Sequence, residues 1–287
     1  MQINSREQGR SLDRGERKAS GGLCPAKCGI VGLRPLFKES LALMRGQTIA
    51  NVNPRCAHST SPEGCAHCTV RLVSVCAALS TAELVEIEAM SQSTTVPAKG
   101  TLAVEHEPAD YVFTITEGMA RLVRLLPDGR RQIVGFALPG DFLGLALLDS
   151  YDFTAEAIIN TRVCRFPRRE FVAYVDRKPH LLRRLHEFAA HELSLAQDQM
   201  VLLGRRTAEE RLAAFFLTLH DRWRRLGHVS VTLQLPMGRQ DIADYLGLTI
   251  ETVSRTFTKL VKAKTIVIVP DGVRLLRPDH LQELTAA

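Results

Sequence analysis

Short apolar and polar stretches alternate from residue 80 to residue 166, and turn residues separate them. Residues 80–90 predict a helix, because Ser80 can cap it and apolar side chains recur at helical spacing. Strand-like pieces follow at residues 101–105, 111–116, 120–126, 132–137 and 154–166, the last broken by Asn160. Many short strands at spacings of roughly 8–12 residues predict a small β-barrel or jelly-roll.

A long helical pattern comes next, at residues 179–203. Apolar residues alternate there at intervals of three and four, at Leu182, Leu185, Ala189, Leu193, Ala196, Met200 and Leu203. A helix packed on its own barrel is the simpler interpretation. A seam sustained for about three heptads without Pro or Gly favours instead a dimer helix, with Leu185, Ala189, Leu193, Ala196 and Met200 at the interface.

The C-terminal part has a different pattern. Residues 205–216 predict an amphipathic helix, and residues 238–257 predict two helices joined by a turn at Gly247. Residues 265–276 then predict two short strands around Pro270-Asp-Gly, which is typical of a hairpin wing. The three pieces together predict a winged helix-turn-helix.

The second helix of this unit carries candidate DNA-binding residues. Its apolar positions, Val253, Phe257, Leu260 and Val261, share the face that would anchor it. Glu251, Ser254 and Arg255 share another face near the N-terminal end, where such helices reach base edges in the major groove. Arg can donate two hydrogen bonds to guanine, Glu can accept one from cytosine, and Lys259 adds charge for phosphates. An ordinary solvated face is the alternative, but turn, anchor face and wing together favour double-stranded DNA.

Composition limits the class of protein. The chain has 287 residues, 45% of them apolar and 24% charged, and no apolar run long enough for a membrane span. Residues 1–55 hold ten Lys or Arg against four Asp or Glu, an excess equal to the formal net charge of +6. We predict that this segment is a disordered N-terminal extension. Seven unevenly spaced cysteines fit a reducing cytoplasm better than a disulfide framework.

Three cysteines lie close together ahead of the predicted barrel. Cys65, Cys68 and Cys76 follow the pattern C-x2-C-x7-C, and thiolates are soft ligands that select zinc or iron–sulfur clusters. Cys56 and Cys164 are both candidates for a fourth ligand. A local set with Cys56 would suggest structural zinc, whereas Cys164 would tie a loop to the folded core.

The chain resembles the FNR branch of the CRP/FNR transcription regulators over about residues 65–285. The resemblance is carried by Ile133-Val-Gly-Phe, Pro139-Gly-Asp, Thr207-Ala-Glu-Glu-Arg-Leu-Ala-Ala-Phe and Asp241-Ile-Ala-Asp-Tyr-Leu-Gly-Leu-Thr-Ile-Glu-Thr-Val-Ser-Arg. It implies an α+β fold with a cyclic-nucleotide-binding-type β-roll (jelly-roll), a long dimerisation helix and a C-terminal winged helix-turn-helix. The implied segments are a cysteine-rich loop at 56–79, the roll at 80–178, the helix at 179–206 and the DNA-binding domain at 207–287.

The resemblance also implies a ligand set and a function. It matches Cys65, Cys68, Cys76 and Cys164 to the ligands of an oxygen-labile [4Fe-4S] cluster and leaves Cys56 outside the motif. The implied regulator is a homodimer that binds a palindrome resembling TTGAT-N4-ATCAA, works with RNA polymerase and is not an enzyme. Leu145 and Phe153-Thr154 replace the Glu and Arg-Ser that hold a cyclic nucleotide elsewhere in the superfamily, so we expect no cyclic nucleotide.

Other functions are less well supported by the residues. An enzyme or electron carrier would need a substrate pocket or a second redox site, and the sequence indicates neither. A haem sensor would need paired ligands, and nothing pairs with His67 or His106. A zinc-stabilised or cluster-free regulator that responds to another signal is the main alternative, and metal analysis would separate it from an iron–sulfur protein.

Overall fold

The computed structural model describes residues 64–286, so the predicted disordered extension, Cys24, Cys28 and Cys56 lie outside the described part. Three short 3-10 turns come first, at Cys65–His67, Arg71–Val73 and Val75–Ala78. The α-helices of this part are α1 (Thr81–Met90), α2 (Arg168–Asp176), α3 (Pro179–Arg205), α4 (Ala208–Arg225), α5 (Arg239–Leu246), α6 (Ile250–Lys262) and α7 (Pro278–Ala286). None of these described helices is long and apolar enough to cross a membrane.

The strands form two groups. Those of the N-terminal group are β1 (Gln92–Val96), β2 (Thr101–Ala103), β3 (Tyr111–Glu117), β4 (Ala120–Leu125), β5 (Arg131–Ala137), β6 (Phe142–Leu143), β7 (Thr154–Ala157) and β8 (Thr161–Pro167). Those of the C-terminal group are β9 (Thr232–Gln234), β10 (Ile266–Val269) and β11 (Gly272–Leu275).

The N-terminal strands build a roll from two antiparallel sheets, in the orders β1-β8-β3-β6 and β2-β7-β4-β5. Residues 112–115 of β3 are buried without alternation, because the two faces of this strand pack against different clusters. Val112 contacts a cluster that includes Phe171 of α2, whereas Ile115 belongs to the apolar layer between the sheets. Strand β8 lies between β1 and β3, so Cys164 is held in the middle of a sheet.

Helix α1 connects the cysteine turns to the roll. Ser80 caps it as the sequence predicts, since the Ser80 Oγ accepts from the Glu83 N–H and the Glu83 carboxylate accepts from the Ser80 N–H. Leu84 and Ile87 are buried on one face of α1. The helix is therefore capped at its start and packed on the core through its middle.

Helix α3 has 27 residues and begins with Pro179, whose fixed φ suits a first helical position. Its buried side chains are Leu181 and Leu185, both in the first two turns. The remainder of α3 extends past the roll with largely exposed side chains. Beyond its second turn, the apolar stripe of this amphipathic helix is therefore left largely uncovered by its own chain.

The C-terminal unit packs α4, α5 and α6 around one apolar cluster, with Ile242, Leu246, Val253 and Phe257 at its centre. Gly247 ends α5 with φ of +61°, a left-handed conformation that glycine adopts without strain. The predicted wing is present as β10 and β11, but the sheet has a third strand, because β9 pairs with β11. Helix α7 closes the unit, and the sequence pattern did not predict it or β9.

Candidate DNA-binding surface and cysteine site

Helix α6 presents the residues that the sequence predicts for DNA binding. The helix begins at Ile250, and the Thr249 Oγ1 caps it by accepting from the Thr252 N–H at 3.2 Å. Val253, Phe257 and Leu260 are buried, which turns the opposite face to solvent. The structure places four predicted residues on that exposed face, Glu251, Ser254, Arg255 and Lys259.

The charged side chains on this face are not equally free to contact DNA. The pKa of Glu251 lies below its usual value, mainly because its carboxylate accepts from its own backbone N–H, and the Thr249 hydroxyl and Arg255 add to the effect. Glu251 is therefore ionised at neutral pH and can act only as an acceptor. The Lys259 ammonium forms an ion pair with Glu209 at the start of α4. Lys259 must leave this partner before it can bind a phosphate.

Two groups of contacts that the sequence did not predict hold the helix-turn-helix in place. The Arg239 guanidinium lies over the Phe257 ring, 3.1 Å from its centroid, and joins α5 to α6. Asp241 of α5 accepts from Arg121 Nη1 at 3.1 Å and from Arg131 Nη2 at 2.8 Å. Arg131 also donates to Asp244. Helix α5 is thus bound to β4 and β5 of the roll through charge-assisted hydrogen bonds.

The four predicted metal-ligating cysteines converge on one place. Cys65 and Cys76 lie in the first and third 3-10 turns, and Cys68 follows the first turn. Cys164 lies in β8, and together with Cys65 and Cys76 it borders a single apolar cluster. The Cys68 sulfur is close enough to act electrostatically on the other three thiols. The structure therefore brings together residues that are far apart in sequence.

Burial dominates the chemistry of these thiols. It raises the pKa of Cys65 to about 11, with further contributions from the charges of Glu88 and Cys68, and it raises the pKa of Cys76 and of Cys164 to about 12. Such thiols stay protonated at neutral pH until a metal ion displaces the proton. Sequence reasoning missed Glu88 beside these thiols.

The donor set fits an iron–sulfur cluster on chemical grounds. Three of the sulfur donors, those of Cys65, Cys76 and Cys164, border an apolar cluster, and Cys68 lies beside them. Iron–sulfur clusters are commonly held by four cysteine thiolates. Within residues 64–286, no group of three or more His, Cys, Asp or Glu side chains is arranged to hold a single metal ion. A four-iron cluster has a different requirement, because each thiolate binds a separate iron atom.

The cysteine turns rest on the roll and on α3. Val75 is fully buried, and it shares a cluster with Leu79 and with Leu181 of α3. Gly140 has φ of +94°, and a Cβ on it would lie 2.9 Å from a Val73 methyl group. The turn at Gly140 therefore needs glycine both for its conformation and for the close approach of the loop.

The predicted dimerisation residues occupy α3. Ala189, Leu193, Ala196 and Met200 are exposed, with Leu193 at 60% and Met200 at 65% of their full accessible areas. Leu185 differs, because it is only 4% exposed and packs in the core of its own chain. The stripe open to a partner helix therefore begins at Ala189.

A cavity of about 710 Å³ lies between the roll, α3 and the C-terminal unit. Leu145 and Phe153 line it, at the positions where the sequence departs from the cyclic-nucleotide pattern. Arg222, which also lines it, already forms an ion pair with Asp141. The absence of a cyclic-nucleotide ligand stays a prediction.

Comparison with known proteins gives the family. Residues 93–178 match the domain described as "Cyclic nucleotide-binding domain", and residues 235–266 match "Bacterial regulatory proteins, crp family". The chain is 55% identical over 221 residues to "Transcriptional activatory protein AadR" of Rhodopseudomonas palustris, covering 77% of this chain and 92% of that protein. It is 49% identical over 223 residues to "Nitrogen fixation regulation protein FixK" of Bradyrhizobium diazoefficiens, covering 78% and 94%.

Among solved structures, FixK2 from Bradyrhizobium japonicum superposes with a TM-score of 0.65 at 38% identity, over 69% of this chain and 98% of that chain. The chain belongs to the CRP/FNR family of DNA-binding transcription regulators. The predicted fold class, a β-roll followed by a C-terminal helix-turn-helix, is confirmed.

Proposed function

We propose that this regulator is an oxygen-responsive transcriptional activator of the FNR type, in which Cys65, Cys68, Cys76 and Cys164 bind a [4Fe-4S] cluster. The observation that carries the proposal is the convergence of Cys164, from the middle of a roll strand, on the three loop cysteines. When bound, such a group supplies an oxygen-labile link between the four thiolates. "Activatory" in the name of AadR supports activation rather than repression.

The position of the cysteine turns connects this site to dimerisation. The third turn, Val75–Ala78, packs on the start of α3, where Leu181 and Leu185 are buried. The same helix continues into the exposed stripe from Ala189 to Met200. A loop held by all four thiolates would fix the start of α3, and a released loop would withdraw that support and shift the equilibrium towards monomer.

A dimer would present two α6 helices to DNA. Family members bind DNA and are typically dimers, and such helices read half-sites about one helical turn, ~34 Å, apart. We propose a homodimer that binds a palindrome resembling TTGAT-N4-ATCAA in the cytoplasm and contacts RNA polymerase there. Glu251, Ser254 and Arg255 would face base edges, and Lys259 would face phosphate.

The test is purification without oxygen, followed by iron and sulfide assay, visible spectroscopy and titration of a TTGAT-N4-ATCAA duplex before and after exposure to air. We expect a coloured protein with about four iron and four sulfide per chain. Air should bleach it, convert dimer to monomer and weaken binding to the duplex. A colourless zinc protein, or one whose dimerisation and DNA binding are unchanged by air, would overturn the proposal.

A further inference from the structure

We propose that Glu88 is a positioning residue for the cysteine site and has two effects. Its carboxylate fixes the start of the loop, and its charge sets how readily the bound site is oxidised. The second half rests on the proposed function, since it concerns a bound iron–sulfur cluster. The first half concerns the protein chain alone.

The carboxylate of Glu88 is seated against the first cysteine. Its Oε2 accepts a hydrogen bond from the Cys65 backbone N–H at 3.1 Å, across 23 residues of chain. A Cβ on Gly64 would lie 3.0 Å from Oε1 and 3.3 Å from Oε2 of the same side chain. The backbone at residues 64 and 65 therefore folds closely around this carboxylate, and any larger residue at 64 would push it away.

Glu88 can fix the loop because its own helix is fixed. It lies in the last turn of α1, directly after Ile87, whose side chain is fully buried, and α1 has a capping box at its start. The Glu88 backbone carbonyl accepts from the Ser91 hydroxyl at 3.0 Å. That hydroxyl also lies near the thiols of Cys65 and Cys164. The end of α1 thus contacts both segments that supply cysteines.

Charge gives Glu88 a second effect. Its carboxylate lies beside the first cysteine, with Oε2 3.1 Å from the Cys65 backbone nitrogen. A cluster held by four thiolates is itself anionic, and its reduction potential depends on net charge and on hydrogen bonds to the sulfurs. A carboxylate at this distance favours loss of electrons from such a group by Coulomb repulsion. Glu88 therefore makes the bound site easier to oxidise, while its hydrogen bond holds the site together.

The two effects separate in a pair of variants. Glu88→Gln keeps an acceptor oxygen for the Cys65 N–H but removes the charge, and Glu88→Ala removes both. Glu86→Gln is the matched control, because Glu86 lies on the same helix and pairs with Lys178 instead. Each protein is purified without oxygen, and we measure its iron and sulfide, its reduction potential and the rate at which air bleaches its visible spectrum.

We expect Glu88→Gln to keep full iron and sulfide, to shift the potential in the positive direction and to bleach about three- to tenfold more slowly than wild type. Glu88→Ala should lose iron during purification. Glu86→Gln should match wild type. If Glu88→Gln matches wild type in potential and bleaching rate, or if Glu86→Gln changes the bleaching as much as Glu88→Gln, the charge effect is refuted.

Hydrogen exchange of the iron-free protein tests the positioning role separately. Peptides covering residues 64–79 should exchange faster in Glu88→Ala than in wild type, and Glu88→Gln should stay close to wild type. Equal exchange in all three proteins refutes the positioning role, whether or not a cluster binds. If wild type contains no iron and sulfide, the proposed function and the charge effect both fail, but the exchange result still decides whether Glu88 fixes the loop.

Discussion

The cysteine loop and the recognition helix α6 carry the two specific chemistries of this protein, but they are held in place in different ways. Helix α6 has 13 residues in one continuous helix, with Val253, Phe257 and Leu260 buried along one face. The loop at residues 64–79 consists of three separate 3-10 turns of three or four residues. Its buried apolar side chains are Val70, Val75 and Leu79.

Under the proposed function, this difference indicates which region would depend on a ligand. The buried side chains of α6 hold its exposed face in place without a ligand. Truncating one of them, such as Phe257, to alanine would lower the free energy of unfolding by about 3–5 kcal/mol. Short 3-10 turns have poorer hydrogen-bond geometry and little cooperativity of their own. The loop therefore relies on contacts from other segments, among them Leu181 of α3, Cys164 and Glu88. Under the proposed function, the exposed face of α6 is fixed before DNA binds, whereas the cysteine site would be completed by its cluster.

The largest expected effect comes from Cys164→Ala, which removes the only roll thiolate from the proposed site. We expect complete loss of iron and sulfide in protein purified without oxygen, because three thiolates leave an incomplete site open to water. The circular dichroism spectrum should keep its helical content, since α6 does not depend on the site. Cys56→Ala is the control and should retain iron and sulfide. The opposite pattern, with iron lost only in Cys56→Ala, would refute this ligand set.

The next effect concerns α3, which lies between the two regions. Leu193→Glu would bring like charges together at the two-fold axis of a helix pair, so we expect monomer in anaerobic light scattering. Ser194→Glu adds the same charge one position away from the exposed stripe and should leave the dimer intact. A dimer that persists in Leu193→Glu would mean that this stripe does not form the interface.

Arg255→Ala tests whether the exposed face of α6 contacts bases. The guanidinium should address a guanine in each half-site, so its loss should cost about 1–3 kcal/mol per half-site and relax discrimination at that guanine. The measurement is binding to the TTGAT-N4-ATCAA duplex and to a duplex in which the guanine is replaced. Equal losses on both duplexes would make Arg255 a backbone contact instead.

Lys259→Ala should have the smallest effect. A phosphate contact contributes about 0.9 to the slope of log affinity against log salt. Lys259 gives up its ion pair with Glu209 to make that contact, so the net change in slope should be below one and the same for every sequence. Binding at several salt concentrations measures it, with Glu209→Gln as a companion that should strengthen binding. A sequence-dependent loss would show that Lys259 reads a base.

Local patterns account for the parts of this fold that the sequence predicted. The capping box at Ser80, the strands from β3 to β5 and the face of α6 all follow from residues near one another in the chain. Strands β6 and β9 have two and three residues, which is too short for any period to be visible. Asp241 and Arg131 are 110 residues apart, and their contact arises only when α5 meets the roll.

The two candidate sites also differ in how far local sequence patterns predict their residues. The exposed face of α6 follows from helical spacing alone, so its four residues could be named from the sequence. The loop cysteines were visible as a spacing, but the choice of Cys164 over Cys56 as the fourth predicted ligand came only from a family resemblance. Glu88 gave no signal, since it is the third of three glutamates on the same helix. Its hydrogen bond to Cys65 appears only after the loop folds back on α1.

The meeting of Cys164 with the loop cysteines also has a consequence for the unfolded chain. A link between Cys76 and Cys164 closes a loop of about 90 residues, and a closure of that size removes roughly 4–5 kcal/mol of conformational entropy from the unfolded ensemble. Breaking the link returns that entropy and makes unfolded conformations more accessible. Proteases act on such conformations. Under the proposed function, oxygen would therefore shorten the lifetime of the chain as well as weaken its hold on DNA.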